Sequence, residues 1–242
     1  MGLYARRTVA ELVLENPSLI PVFEQLGIDY CCGGSRSLED ACREAKVSLD
    51  QVTASVTAGR ALAPDAEAAR DWTSAPLSEL TEHIVSRHHS YTRSALARLE
   101  ELFVEVSAAH AERHPELGQI QRVFRGLAQE LLQHMNKEEM ILFPYVASLE
   151  EALRRRQPAA PAPFGSVNNP VHMMMQEHDS AAAALREIRK WAADYQLPAD
   201  ACTRWQLLYQ GFQELEQDLH RHIHLENNIL FPRALVLESR AA

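Results

Sequence analysis

The chain is short of several things, and each shortage narrows what it can be. Nine Gly, twelve Pro and 7% aromatic residues in 242 leave few turn-makers and few of the side chains that favour strands. That composition speaks against strands and for a mostly helical chain. Positive charge is scarce, with 24 Lys and Arg against 33 Asp and Glu and a net charge of −9, which argues against a protein that grips phosphate backbones. No run approaches the roughly 18 apolar residues a membrane-spanning helix needs. The first residues, MGLYARRTVAELVLENP, lack an apolar core followed by small residues, so no secretory signal is read and a cytoplasmic chain is expected. Four Cys, at 31, 32, 42 and 202, are too few and too unevenly placed for a disulfide framework.

What remains is rich in Ala, Leu, Glu, Gln and Arg, the good helix formers, and the expected fold is all-α. Thr8 with Glu11 has the form of a capping box. Asn16-Pro17 opens a second short helix that Gly27 can end in a left-handed conformation, so IDYCCGGS is a turn and Cys31 and Cys32 lie in a loop. Ser37 and Ser48 are N-caps for two further short helices, SLEDACREAKV and SLDQVTASVTAGRAL. Residues 1–62 thus form a small helical module, 63–76 a linker, and 77–242 a larger domain. In the larger domain four helical stretches, about 77–110, 115–150, 168–195 and 199–238, are separated by Pro-containing breaks. Long helices with short connections predict an antiparallel four-helix bundle.

Eleven His stand out, and a repeat sorts them. His134 to Pro144 reads HMNKEEMILFP and His222 to Pro232 reads HIHLENNILFP, which agree at six of eleven positions. His89 and His178 precede the two His-x-x-x-Glu elements by 45 and 44 residues. Each half of the bundle then carries one His on its first helix and a His and Glu one turn apart on its second. Turned inward, these give four imidazoles and two carboxylates in a low-dielectric interior, where unpaired carboxylates are costly and a pair of metal ions removes the cost. Imidazole with carboxylate suits iron ahead of manganese or zinc. The same alignment sets aside His220 and His224, which match Leu132 and Asn136, and Glu139, which matches Asn227. Spacing favours His89 over its neighbour His88 without deciding between them. His83, His110 and His114 are expected at helix surfaces or ends. Ile141, Leu142, Phe143 and their repeats are expected as packing, Pro144 and Pro232 as points where helices bend or end, and Met173 to Met175 as core filler. Glu177, next to His178, reads equally as a supporting group or a solvated acid.

Together, DYCCGG from Asp29, DW-SAPL from Asp71 to Leu77, HMNKEEMILFP, QEHDSA around His178 and HIHLENNILFP resemble the hemerythrin-like di-iron proteins of the repair-of-iron-centres type. The resemblance covers nearly the whole chain. It implies two non-haem irons, oxo- and carboxylate-bridged, with Glu138 and Glu226 as bridges and His89, His134, His178 and His222 as terminal ligands. Oxygen-carrying hemerythrins typically show five His and an Asp in the last motif, where this chain has Glu226. The implied role is repair of iron–sulfur clusters damaged by nitrosative or oxidative stress, by iron donation rather than as a dedicated enzyme. Nitric oxide reduction, or sensing of nitric oxide or oxygen at the same six residues, is the alternative. Damaged iron–sulfur proteins are the expected partners, with a homodimer left open, and Cys31 and Cys32 are the expected redox or iron and nitric oxide transfer pair. Cys42 and Cys202 carry no such role.

Overall fold

Local capping decides where the first helices begin. Thr8 Oγ1 accepts from Glu11 N–H at 3.2 Å while Glu11 Oε2 accepts from Thr8 N–H at 3.0 Å, the reciprocal pair of a capping box. In the computed structural model, residues 5–59 and 70–241 are described, and they form α1 (Val9–Glu15), α2 (Ile20–Leu26), α3 (Leu38–Ala45) and α4 (Leu49–Gly59) in the N-terminal region. Asn16-Pro17 starts a short 3-10 turn, Pro17–Leu19, that leads into α2. Gly27 ends α2 at φ 66°, a left-handed conformation that a Cβ would strain. Ser37 and Ser48 cap as the sequence predicts, each accepting at 3.2 Å from the backbone N–H three residues on. The predicted linker over 63–76 lies outside the described residues as far as residue 69, as does the end of the predicted fourth helix beyond Gly59.

After Pro76 the chain runs through α5 (Leu77–His83), a π-helical turn Ile84–His89, α6 (Ser90–His110), α7 (Glu116–Lys137), a π turn Glu138–Leu142 and α8 (Phe143–Arg155). It continues through α9 (Asn168–Trp191), α10 (Thr203–Leu225), a π turn Glu226–Leu230 and α11 (Phe231–Ala241). No strand forms among the described residues, and the chain is all-α. No described helix is long and apolar enough to cross a membrane.

The chain divides into two compact units, Met1–Pro76 with Ile223–Arg233, and Leu77–His222 with Ala234–Ala242. The first buries Val9, Leu12, Val13, Val22, Phe23, Tyr30 and Leu38 among its core residues. The second is an antiparallel four-helix bundle, and the register of its polar pairs shows the direction. Arg93 meets Asn136 and Arg125 meets Glu100 between α6 and α7, Lys137 meets Glu177 between α7 and α9, Arg189 meets Glu216 between α9 and α10, and Arg98 meets Glu214 between α10 and α6. Between α6 and α7 one number rises as the other falls, as it does between α7 and α9, where Arg122 also meets Glu187, and between α10 and α6, where Arg204 also meets Glu105. Exposed pairs of this kind add little energy individually. The stabilising mass is the apolar stripe inside, with Leu99, Phe103, Ile120, Phe124, Ile188, Trp205, Phe212 and Leu215 at its centre.

Two corrections to the sequence reading concern helix ends. Pro144 and Pro232 neither end nor break their helices. A π turn precedes each, and Phe143 N–H reaches back five residues to Glu138 C=O, as Phe231 N–H does to Glu226 C=O. The wider turn absorbs the hydrogen bond that the proline cannot donate. The third long helix ends at Trp191, and Ala193, Asp194 and Tyr195 follow with φ of 47°, 59° and 60°. Three consecutive non-glycine residues in this region are strained. Arg189 holds them by pairing with Asp194 and by donating to the buried Glu216 at 2.7 Å.

Burial also differs at some predicted packing positions. Leu142 and Phe143 are buried but Ile141 is not, and of the three methionines only Met174 is core. A repeat beyond the one read from the sequence caps the first helix of each half. Glu150 accepts from Leu77 N–H at 2.8 Å, and Glu238 accepts from Val167 N–H at 2.8 Å. These carboxylates stand 88 residues apart, the offset of the His-x-x-x-Glu pair.

His114 ties the α6–α7 connection to the α9–α10 connection, with Nδ1 2.8 Å from Glu116 and Nε2 3.0 Å from Asp200. The Glu116 bond, aided by Asp200, outweighs the cost of burial and raises its pKa above the ordinary 6.5. Stability from a raised pKa is fully present below the unfolded value and is lost as pH rises through the folded one. The melting-temperature gap between the wild type and His114→Gln is therefore expected to be widest on the acid side of neutrality and to close towards alkaline pH. A gap that widens with rising pH contradicts this.

Candidate metal centre

Three of the six residues drawn together by the sequence repeat sit at the π turns. His89 ends the first, Glu138 opens the second and Glu226 opens the third. Such single wide turns commonly mark functional positions. The recognisable signal is Glu followed six residues later by Pro, present as Glu138 with Pro144 and Glu226 with Pro232.

Glu138 is fully buried in the bundle, with Oε2 3.4 Å from His89 Nε2 and 3.3 Å from His134 Nε2. Each of those rings faces a second imidazole. His89 Nε2 is 3.2 Å from His222 Nε2, and His134 Nε2 is 3.1 Å from His178 Nε2. The ligand atoms of His89, Glu138 and His222 lie within 4.8 Å of one another, as do those of His134, Glu138 and His178. All five side chains are buried. In the first unit Glu226 is also fully buried, one helical turn past His222 on the same run of chain.

The protons on these rings can be placed. His89 Nδ1 is 2.8 Å from Glu139 Oε1, and His134 Nδ1 is 2.8 Å from Glu177 Oε2. A carboxylate only accepts, so Nδ1–H donates in both cases, and in the neutral form of each ring Nε2 presents a lone pair towards Glu138. Lone pairs gathered around a carboxylate in a dry interior repel one another, and a divalent cation in their midst turns the repulsion into ligation. The donor set fits a metal, and its nitrogen and carboxylate ligands suit iron.

Glu139 and Glu177 keep their charge. Burial works against it, but hydrogen bonds from Arg93 and His89 hold Glu139 below the usual carboxylate range, and bonds from Lys137 and His134 do so for Glu177. Glu177 therefore serves His134 on the neighbouring helix rather than His178 beside it. Glu139 and Asp218 were missed by sequence reasoning. His88, which spacing left open, is as buried as His89, but its Nδ1 lies 3.2 Å from Asp218 Oδ1 and its ring stacks on His222 at 5.5 Å. His110 is at a helix end as expected, yet it is buried against Trp205.

The Cys loop lies in the first unit with the third π turn. Asn227 Nδ2–H donates to Cys31 C=O at 3.4 Å, Asn228 Nδ2–H donates to Tyr30 C=O at 3.1 Å, and the Tyr30 and His224 rings lie 5.5 Å apart. Burial pushes the His224 pKa down to about 4, so the ring is neutral at physiological pH. Asp29 Oδ1 accepts from the N–H groups of both cysteines, at 3.1 and 2.9 Å, and the two Sγ atoms are 3.9 Å apart. The hydrogen bond to Cys32, with burial, pushes the Cys31 thiol well up. Cys31 is therefore a protonated, covered thiol in this conformation, and Cys32 is the accessible member of the pair.

The hemerythrin HHE cation binding domain model matches residues 80–234, and a domain of unknown function, ScdA_N, matches residues 5–59. The chain is 34% identical over 235 residues to the iron-sulfur cluster repair protein YtfE of Escherichia coli O81 (strain ED1a), covering 97% of this chain and 99% of that protein. It is 35% identical over 230 residues to the protein of the same name from Enterobacter sp. (strain 638), covering 95% and 97%.

Stripping divalent metal from the protein is expected to lower its melting temperature by about 10 °C, because ligand at roughly a thousandfold excess over its dissociation constant contributes about 4 kcal/mol. Glu138→Leu is expected to abolish that metal-dependent increment. An equal melting temperature with and without metal, measured by calorimetry, contradicts the buried donor set.

Proposed function

Since the chain belongs to the iron–sulfur cluster repair family of hemerythrin-like proteins, we propose that it is a non-haem di-iron protein that repairs clusters damaged by nitrosative or oxidative stress, supplying iron to them. The observation that carries the reading is the burial of Glu138 between two pairs of imidazoles whose Nε2 atoms converge on it. Each imidazole pair, His89 with His222 and His134 with His178, would hold one ion, and Glu138 would supply a carboxylate to both. Glu226 supplies the second carboxylate. It stands one turn past His222, as Glu138 stands one turn past His134.

When bound, the ferrous ions are the cargo of the repair reaction. The chain's own residues set how firmly that cargo is held. Four neutral imidazoles and two carboxylates offer less negative charge than a four-carboxylate ferritin-like site, so divalent iron is retained less tightly and can be passed on. The Asp29, Cys31 and Cys32 loop supplies two thiols within ligand distance of each other as a transfer point, with Cys32 the first to meet a recipient. The names carried by the relatives speak for repair rather than for nitric oxide reduction or gas sensing. Recipients are damaged iron–sulfur proteins.

Iron-loaded protein mixed with an apo or nitrosylated cluster protein is expected to restore the recipient's activity faster than the same amount of free ferrous iron, and the double variant His134→Ala, His222→Ala is expected to lose that advantage. Replacing Cys31 and Cys32 by Ser is expected to slow transfer without altering the iron bound. Equal recovery from free iron, or from the double His variant, overturns donation from this centre.

A further inference from the structure

Glu139 has no counterpart carboxylate in the second half of the repeat, where Asn227 stands, and the metal reading gives it no ligand role. Its surroundings are nevertheless built. Oε1 accepts from His89 Nδ1–H at 2.8 Å and from Arg93 Nη2 at 2.9 Å, and the same guanidinium nitrogen is 3.0 Å from Asn136 Oδ1. From the surface inward the order is Arg93, half-buried Glu139, buried His89, then Glu138. A surface acid does not need this arrangement. Arg93 offsets the cost of placing an anion against a buried ring, and Asn136, one turn before Met140 on the same stretch, fixes the guanidinium.

We propose that Glu139, held by Arg93, is a positioning residue for His89: by accepting the Nδ1 proton it locks that ring in the tautomer and orientation whose Nε2 lone pair faces Glu138 and His222. The carboxylate charge also raises the basicity of Nε2 and so tightens whatever cation that nitrogen ligates. Glu177 contacts His134 in like manner from a different helix. Asn227, at the repeat-equivalent position, is neutral and donates to Cys31 C=O. The two halves are therefore unlike each other: the position that steadies a ligand in the first half holds the Cys loop in the second. The effect on the cation rests on the metal reading, whereas the effect on the ring does not.

The test uses full-length protein with 15N-labelled histidine, in which the His89 signals are assigned by their loss in His89→Gln. In metal-free protein at a pH where the ring is neutral, His89 is expected as the Nδ1–H tautomer in the wild type and in Glu139→Gln, whose amide oxygen still accepts. Glu139→Ala is expected to shift it to Nε2–H or to a mixture. In zinc-loaded protein, transfer of zinc to a chelator is expected to speed up by about 10- to 100-fold for one of the two ions in Glu139→Ala, and by less in Glu139→Gln. A wild-type His89 in the Nε2–H form, or a tautomer unmoved in Glu139→Ala, overturns the proposal. So does a release rate unchanged in Glu139→Ala while the wild type holds zinc. A wild type that holds no metal at all contradicts the metal reading instead, and leaves the tautomer comparison to decide the role of Glu139.

Discussion

A carboxylate with no access to water, set among four buried imidazoles, is the constraint on which this molecule is organised. Glu138 is such a group. Transfer of an isolated ion into a protein interior costs several kcal/mol even after relaxation, and Glu138 is surrounded by His89, His134, His178 and His222 rather than by Lys or Arg. A cation held among these side chains would make the arrangement favourable. The bundle core, from Leu99 and Phe103 to Phe212 and Leu215, holds together the helices that carry these side chains.

Other features follow from the same constraint. The π turns at Ile84–His89, Glu138–Leu142 and Glu226–Leu230 widen the helix at the buried His89, Glu138 and Glu226, and two of them also accommodate a proline that would otherwise break the helix. Glu139 and Glu177 fix the tautomers of His89 and His134, and Arg93 and Lys137 neutralise those acids on the outer side. Positive charge is scarce in this chain, and two of its cations stand behind the His89 and His134 rings through these acids.

Much of this was legible in the sequence because its cause is local or repeated. The caps at Thr8, Ser37 and Ser48 and the left-handed Gly27 follow from residues at most three apart. The repeat picks out His89, His134, Glu138, His178 and His222, which the structure brings together; with 88 residues between the His-x-x-x-Glu elements and 89 between His89 and His178, it ties distant positions together without knowledge of helix rotation. The unread parts depend on register between helices. Glu139 was set aside because the repeat has Asn227 in its place, yet its partner is across the bundle on another helix. Asp218 serves His88 from 130 residues away. The π turns escaped because an ideal helical period puts His88 and His89 on different faces, whereas a widened turn buries both.

Specialisation of the two halves is the broader consequence. One His-x-x-x-Glu element is followed by a charged residue that braces the centre, the other by two asparagines that hold the Tyr30 to Cys32 loop. The central claim is tested most directly by metal analysis and the absorption spectrum of the purified, iron-supplied protein. Two irons per chain with a bridged di-iron spectrum are predicted. Stoichiometric zinc, or iron bound without any sign of a bridge, contradicts the account.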